Sequence, residues 1–176
     1  MRYCALFFLF LLSFMGNTDS VGTKQIYGYA EKITILDKNL TMSAKLDTGA
    51  NSASLSAIKI NEIEENGKQY LTFLVPTKKG AIPFKCELAG QVNIKTRAAE
   101  SKLHPLLKHF ILRPVVKMKI MLDGKERLIR VNLTNRKRFN FPLLLGREAI
   151  ISFSGIVDPQ LKYTVKSKQN LPAGTR

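Results

Sequence analysis

Two dipeptides, Asn66-Gly67 and Asp123-Gly124, sit between runs of alternating apolar and polar residues and commit much of the chain to antiparallel hairpins. Alternation with period two is the pattern of a strand with one buried face. Asn-Gly and Asp-Gly supply the positive φ values that a two-residue hairpin turn requires. Ala57 to Glu64 and Gln69 to Pro76 flank the first turn; Val115 to Leu122 and Arg127 to Leu133 flank the second. In the second hairpin Met118, Ile120 and Leu122 share one face, while Lys117 and Lys119 take the other. Ile26 to Leu36 and Leu40 to Leu46 read as strands joined at Asp37-Lys38-Asn39. After a turn at Thr77 to Gly80, Ile82 to Leu88 reads as a short strand and Val92 to Arg97 as another. Ala98 to Phe110 reads as a loop or short helix, and Glu148 to Ser152 as a single helical turn. Many short strands with regularly spaced turns predict an all-β fold, a small closed barrel with little helix.

The segment with chemical content is Leu46-Asp47-Thr48-Gly49-Ala50. Met42, Ala44 and Leu46 alternate with polar residues, so Asp47 falls at the end of a half-buried strand. A carboxylate presented this way becomes useful when a second one lies beside it. Two such groups cannot both ionise at close range, so the pair keeps one proton and supplies acid and base together. The Thr48 hydroxyl can hydrogen-bond across such a site, and Gly49 lets the backbone turn tightly without a Cβ clash. Taken alone, Asp-Thr-Gly is also an ordinary turn. About a hundred residues downstream, Phe141-Pro142-Leu143-Leu144-Leu145-Gly146-Arg147 adds an apolar strand that ends on a glycine. Such a glycine permits one backbone to cross closely behind another.

Together these segments resemble the bacterial retropepsin-like aspartic endopeptidases, a family long labelled "ATP-dependent zinc protease". The resemblance spans about Gly28 to Tyr163. It includes the Asp47 segment with Leu55 and Ala57, then Arg113-Pro114-Val115-Val116, Val131-Asn132-Leu133-Thr134-Asn135-Arg136, Leu144-Leu145-Gly146-Arg147 and Val157-Asp158-Pro159. It implies Asp47 as the catalytic aspartate, with Thr48, Gly49, Ala50, Gly146 and Arg147 supporting its loop. Retroviral members carry an aspartate two residues after the glycine, which meets the Gly-Arg arginine and the substrate backbone. Asn51 stands there in this chain, so such a contact becomes a neutral hydrogen bond. The family's usual Thr-Ser is replaced by Ser52-Ala53. Retropepsins also cover substrate with a hairpin flap, for which the Asn66-Gly67 hairpin and the Thr77 to Gly80 turn are both candidates.

The zinc and ATP of the old label find no support in the residues. His104 and His109 are the only histidines; their spacing of five does not place them on one helical face, and no His-Glu-x-x-His occurs. A Gly-x-x-x-x-Gly-Lys-Ser/Thr loop is also missing. The reading therefore contains no metal and no cofactor. It does contain a second chain: there is one Asp-Thr-Gly, so a working dyad requires a two-fold homodimer that brings two copies of Asp47 together.

Residues 1–20 read as a secretory signal, with Arg2, an apolar stretch from Ala5 to Met15 and small residues at Thr18-Asp19-Ser20. The alternative is an uncleaved anchor. Residues 21–165 form the barrel domain and 166–176 a disordered tail, and the protein is expected to be secreted or periplasmic. Loss of the leader would leave Cys86 as the only cysteine, which reads as a buried apolar residue. The formal net charge of +15 is spread over several Lys/Arg clusters, among them Lys125 to Arg130 and Arg136-Lys137-Arg138. Such a surface attracts anions, with an acidic peptide or protein substrate and loose membrane association as the partners it fits. Nucleic acid is not expected, because aromatics are not interleaved with the basic residues. The leading reading is an aspartic endopeptidase. The alternative is a non-catalytic basic β-barrel that binds an anionic envelope partner, and a metalloprotease ranks last.

Overall fold

The computed structural model describes residues 23–95 and 110–165. The segments expected to be a leader (1–20) and a tail (166–176), all but the last residue of the loop or helix expected over 98–110, and His104 and His109 lie outside the described residues. The chain runs through β1 (Gln25–Gly28), β2 (Ala30–Ile35), β3 (Leu40–Leu46), β4 (Ala53–Ser56), β5 (Ile58–Glu65) and β6 (Lys68–Thr77). It continues through β7 (Gly80–Lys95), β8 (Phe110–Leu122), β9 (Lys125–Thr134), β10 (Leu143–Leu145), α1 (Arg147–Ser152) and β11 (Gly155–Asp158). Strands dominate and α1 is the only α-helix among the described residues, as the alternation predicts.

Nine strands form one sheet in the order β2-β3-β10-β4-β9-β8-β7-β6-β5. It closes on itself where β2 also pairs with β8, through Thr34↔Met121 and Ile35↔Ile120. Closure leaves no open edge on the ring formed by β2, β3, β10, β4, β9 and β8. Inward-facing residues from each of these strands fill it: Ile33, Ala44, Leu55, Val116, Leu133 and Leu143 are all at most 1% exposed. The β5–β6–β7 arm extends from β8, with Phe73 and Phe84 cross-strand partners whose rings stack at 5.6 Å.

Both hairpin turns stand where the dipeptides place them. Asn66 and Gly67 have φ of 51° and 71°, Asp123 and Gly124 of 53° and 70°. The Asp37 turn is a 3-10 turn over Leu36–Lys38 closed by Asn39 at φ 46°.

Two expectations need correction. Ile26 to Leu36 is not one strand: it breaks at Tyr29, and β1 leaves to pair in parallel with β11. The cause is the returning chain, since Tyr29 N–H donates to the Leu161 carbonyl at 2.9 Å. The stretches around Ile82 to Leu88 and Val92 onward are one strand, β7, rather than two. An irregularity between Leu88 and Gln91 carries it past Gly90, whose φ of 113° bends the strand without ending it.

The segment after β11 is tied down by a buried carboxylate. Glu31 is 0% exposed, and its Oε1 accepts from Gly28 N–H at 2.7 Å, Thr164 N–H at 3.0 Å and Thr164 Oγ1–H at 2.6 Å. Its Oε2 accepts from Val165 N–H at 3.2 Å. Four donors replace the water that a buried carboxylate loses.

Candidate active site

Asp47 follows the last residue of β3, and the loop after it is built by backbone hydrogen bonds on both sides. Asp47 N–H donates to the Leu145 carbonyl at 2.9 Å, and Ala50 N–H donates back to the Asp47 carbonyl at 3.2 Å. The loop is backed by β10, which runs parallel to β3 with Leu145 opposite Leu46 and antiparallel to β4 with Leu143 opposite Leu55. Gly146 then passes directly beneath the loop. A Cβ there would lie 2.6 Å from the carbonyl oxygens of both Asn51 and Ser52. The sequence requirement for glycine at this crossing is therefore steric, because the φ of −83° at Gly146 is open to any residue.

Arg147 holds the loop from the start of α1. Its N–H donates to the Ala50 carbonyl at 2.8 Å, and Nη1 donates to the Thr48 carbonyl at 3.2 Å and the Gly49 carbonyl at 3.5 Å. Nη2 donates to Asn51 Oδ1 at 3.2 Å, the neutral contact that asparagine at this position predicts. The other end of that amide, Nδ2, donates to Glu148 Oε1 at 2.7 Å. Every residue singled out in the sequence thus comes together here: Asp47, Thr48, Gly49, Ala50, Asn51, Gly146 and Arg147. Thr48 is held through its carbonyl, and Thr48 and Gly49 are exposed.

Three neighbours were not anticipated. Lys45 lies two residues before Asp47 on the same strand face, and its Nζ is 3.1 Å from Asp47 Oδ2. Gly49 N–H donates to the other oxygen, Oδ1, at 3.0 Å. Burial raises the Asp47 pKa, but Lys45 and the Gly49 and Ala50 amides outweigh it, and the carboxyl is held below its ordinary value. The signal was available: in a strand, residues i and i+2 point the same way.

Arg136 is the second. It stands in the basic run Arg136-Lys137-Arg138, yet it is only 6% exposed while Lys137 and Arg138 are exposed. Its Nε donates to the Phe141 carbonyl at 3.1 Å, and the guanidinium lies over the Phe139 ring at 4.5 Å. Burial first, then the neighbouring Arg113 charge, lowers its pKa to about 10, with Asp47 acting in the opposite direction. The group remains a cation at neutral pH.

Asn132 is the third, and it gives the Asn-Leu-Thr-Asn-Arg block a physical reason. It is 2% exposed; Nδ2 donates to the Ala53 carbonyl at 2.6 Å and to Ser52 Oγ at 3.2 Å, and Oδ1 accepts from Arg113 Nη1 at 3.5 Å. This amide ties β9 to the chain just past the Asp47 loop and orients Arg113.

These groups line one cleft of about 800 Å³. Its lining includes five cationic side chains, Lys45, Lys95, Arg113, Arg130 and Arg136, against the carboxylates of Asp47 and Glu148. Ser54, 4% exposed, also lines it, and its Oγ has no hydrogen-bond partner among the described residues. The remaining wall is the end of β7 from Gln91 to Lys95. Neither the Asn66-Gly67 hairpin nor the Thr77 to Gly80 turn lines the cleft; the arm strand that does is β7. It reaches the cleft by continuing past the irregularity at Gly90, which hydropathy alone does not reveal. A shallower depression of about 480 Å³ beside Phe73 and Pro83 is lined by three lysines and no carboxylate.

A family described as "Retropepsin-like aspartic endopeptidase RimB" matches residues 26–168. The chain belongs to this RimB-like family. A solved structure of a protein of unknown function from Legionella pneumophila subsp. pneumophila str. Philadelphia 1 is 53% identical, with a TM-score of 0.69, and covers 82% of this chain and 100% of its own. A curated relative from Shewanella pealeana, named "Probable alpha-L-glutamate ligase", is 30% identical over 74% of this chain. One of the same name from Desulfotalea psychrophila is 26% identical over 79% of this chain. This chain spans only 27% and 29% of those two relatives' lengths. The RimB-like chain thus has a retropepsin-like fold, while the names of its curated relatives describe bond formation.

Proposed function

We propose that this RimB-like protein is an aspartic endopeptidase that works as a homodimer on acidic peptides outside the cytoplasm. The observation that carries the reading is Asp47 at the end of β3, in a loop crossed by Gly146 and braced by Arg147. One such loop supplies one carboxylate. Two copies related by a two-fold axis would hold a water between their Asp47 side chains. One carboxylate takes a proton from the water as its oxygen attacks the peptide carbonyl carbon. The other gives its proton to the carbonyl oxygen. Collapse of the resulting diol breaks the C–N bond, and the nitrogen leaves with a proton returned by the pair. The exposed Thr48 and Gly49 leave room for a second copy at this face.

The cleft's charge supports the acidic substrate. The Arg113 charge disfavours that of Arg136, and Ser54 Oγ is buried in the same lining. A substrate carboxylate would relieve both features, as charge-assisted bonds to guanidinium are among the stronger hydrogen bonds. A hydrolytic module acting on the glutamate-rich product of a ligase would also suit the relatives' names. Location outside the cytoplasm rests on the leader-like residues 1–20 alone.

A second reading has one observation in its favour: the Lys45–Asp47 ion pair. An ionised, paired aspartate is what a non-catalytic basic barrel for an anionic partner would carry. Mass spectrometry of glutamate-rich peptides incubated with the mature chain separates the two. Cleavage lost by at least ~100-fold in Asp47→Asn supports the peptidase. Salt-sensitive binding without cleavage, unchanged in Asp47→Asn, replaces it with the binding barrel. Sedimentation over a range of concentrations checks the dimer, and a strict monomer that cleaves would refute the shared dyad.

A further inference from the structure

We propose that Lys45 is a charge latch on Asp47, a positioning residue that sets the pH range over which the dyad can keep its shared proton. The inference deepens the peptidase reading and rests on it.

Lys45 is fixed at its root. Its backbone is paired on both sides, to Ala30 of β2 and Leu144 of β10, so the side chain has one direction available, out over the cleft face of β3. There the ammonium meets Asp47 Oδ2 at 3.1 Å, while Gly49 N–H holds Oδ1 at 3.0 Å. The Oδ1 bond is made within the Asp-Thr-Gly turn itself. Oδ2 is the oxygen left to reach a water or a second carboxylate, and Lys45 occupies it.

The other charged groups in and around the cleft are differently placed. Arg147, behind the loop and outside the cleft lining, is spent on the carbonyls of Thr48 and Gly49 and on Asn51, and Glu148 on the Asn51 amide. Arg136 follows β9, buried beneath Phe139; Arg113 of β8 is turned to Asn132. Arg130 of β9 and Lys95 of β7 line the same cleft. Among the described residues, Lys45 alone forms an ion pair with Asp47. The rest supply a background of positive charge that survives its removal.

The physical consequence follows from charge counting. A bare pair of carboxylates keeps a proton because two negative charges repel. Each Asp47 here brings its own ammonium, so the four groups sum to zero and the attraction of the ammoniums offsets the carboxylate repulsion that opposes double ionisation. The singly protonated pair is pushed toward acid, and Lys45 must swing off Oδ2 before the pair acts near neutrality. Lys45 is 45% exposed, so this movement meets little steric resistance.

Lys45→Met keeps the aliphatic stem and removes the charge; Lys45→Arg keeps the charge. Two readouts are taken on the mature chain: the pH profile of kcat/KM on a glutamate-rich peptide, and the Asp47 carboxyl titration by 13C NMR. Lys45→Met should move the alkaline limb and the Asp47 midpoint upward by about one pH unit or more, and Lys45→Arg should restore both. Two-state melting of each variant verifies the fold. A cleaving enzyme whose Lys45→Met profile and midpoint match the parent overturns the latch and leaves the peptidase standing. A shifted midpoint with no cleavage by any form overturns both.

Discussion

Gly146→Ala tests the crossing that builds the site. The added methyl would sit 2.6 Å from the Asn51 and Ser52 carbonyl oxygens and 2.7 Å from the Asn51 carbonyl carbon. A carbon needs about 3.3 Å from such an oxygen, so two segments of backbone must part by roughly 0.7 Å. No side chain can rotate to absorb this. The bonds that would stretch are Arg147 N–H to the Ala50 carbonyl at 2.8 Å, Glu148 N–H to the Asn51 carbonyl at 3.1 Å, and Asp47 N–H to the Leu145 carbonyl at 2.9 Å. Overpacking costs about 1–3 kcal/mol, and losing one or two of these bonds adds about 1 kcal/mol each. A total of about 2–5 kcal/mol corresponds to a Tm lower by about 5–20 °C in a domain of this size. Urea unfolding followed by circular dichroism reads the free energy, with Gly49→Ala as the control. A Cβ at Gly49 meets only the Asp47 carboxylate, at 3.2 Å, and the Asp47 side chain can rotate away. That control should lose about 1 kcal/mol or less. If Gly146→Ala is as stable as the parent to within about 0.5 kcal/mol, the crossing is not the tight contact described here.

Glu31→Ala removes the acceptor shared by Gly28, Thr164 and Val165, leaving buried donors that cost about 1–3 kcal/mol apiece. Hydrogen exchange should show the amides of Thr164 and Val165 released before the ring unfolds; protection equal to the parent's would refute the tether. Cys86 offers a pH test, because burial first, and then the Asp37 charge, pushes its thiol from 9.0 to about 11. Below pH 9 its thiolate fraction is roughly 100-fold under that of an ordinary cysteine. Thiol labelling at pH 8 should therefore be about that much slower in the folded chain than in urea, and equal rates would show Cys86 to be open.

The legible parts of this molecule are those where a single residue type has a physical monopoly. Asn-Gly and Asp-Gly mark the hairpins because few other pairs accept φ near 50–70° twice in succession. Gly146 is legible because only hydrogen fits between two carbonyls 2.6 Å from its Cβ position. Alternation in β3 fixes which residues are buried and delivers Asp47 to the strand's end. The illegible parts depend on distance along the chain. Asn132 reaches Ser52 and Ala53 across about 80 residues, and no local pattern distinguishes a buried Arg136 from its exposed neighbours Lys137 and Arg138. Where β7 continues is decided by pairing with β8, so a bulge at Gly90 reads in sequence as a break.

Lys45 belongs to neither class, and that is instructive for how the site works. Its placement was legible from period two, but its meaning depends on what else surrounds Asp47. In a neutral cleft, one ammonium beside a catalytic carboxylate would simply hold it ionised. Here the cleft also contains Arg113, Arg130 and Arg136, so an incoming acidic group lowers the local positive potential that favours Asp47 ionisation. A substrate carboxylate seated by the arginines would therefore weaken the hold on Asp47 without touching it, and would offer Lys45 a competing partner. In the proposed dimer, substrate charge and dyad protonation would be linked quantities: the more acidic the bound peptide, the higher the pH at which a proton would stay between the two aspartates. On the proposed peptidase reading, that coupling would give the five cations of the cleft a role in the proton inventory of the reaction as well as in binding.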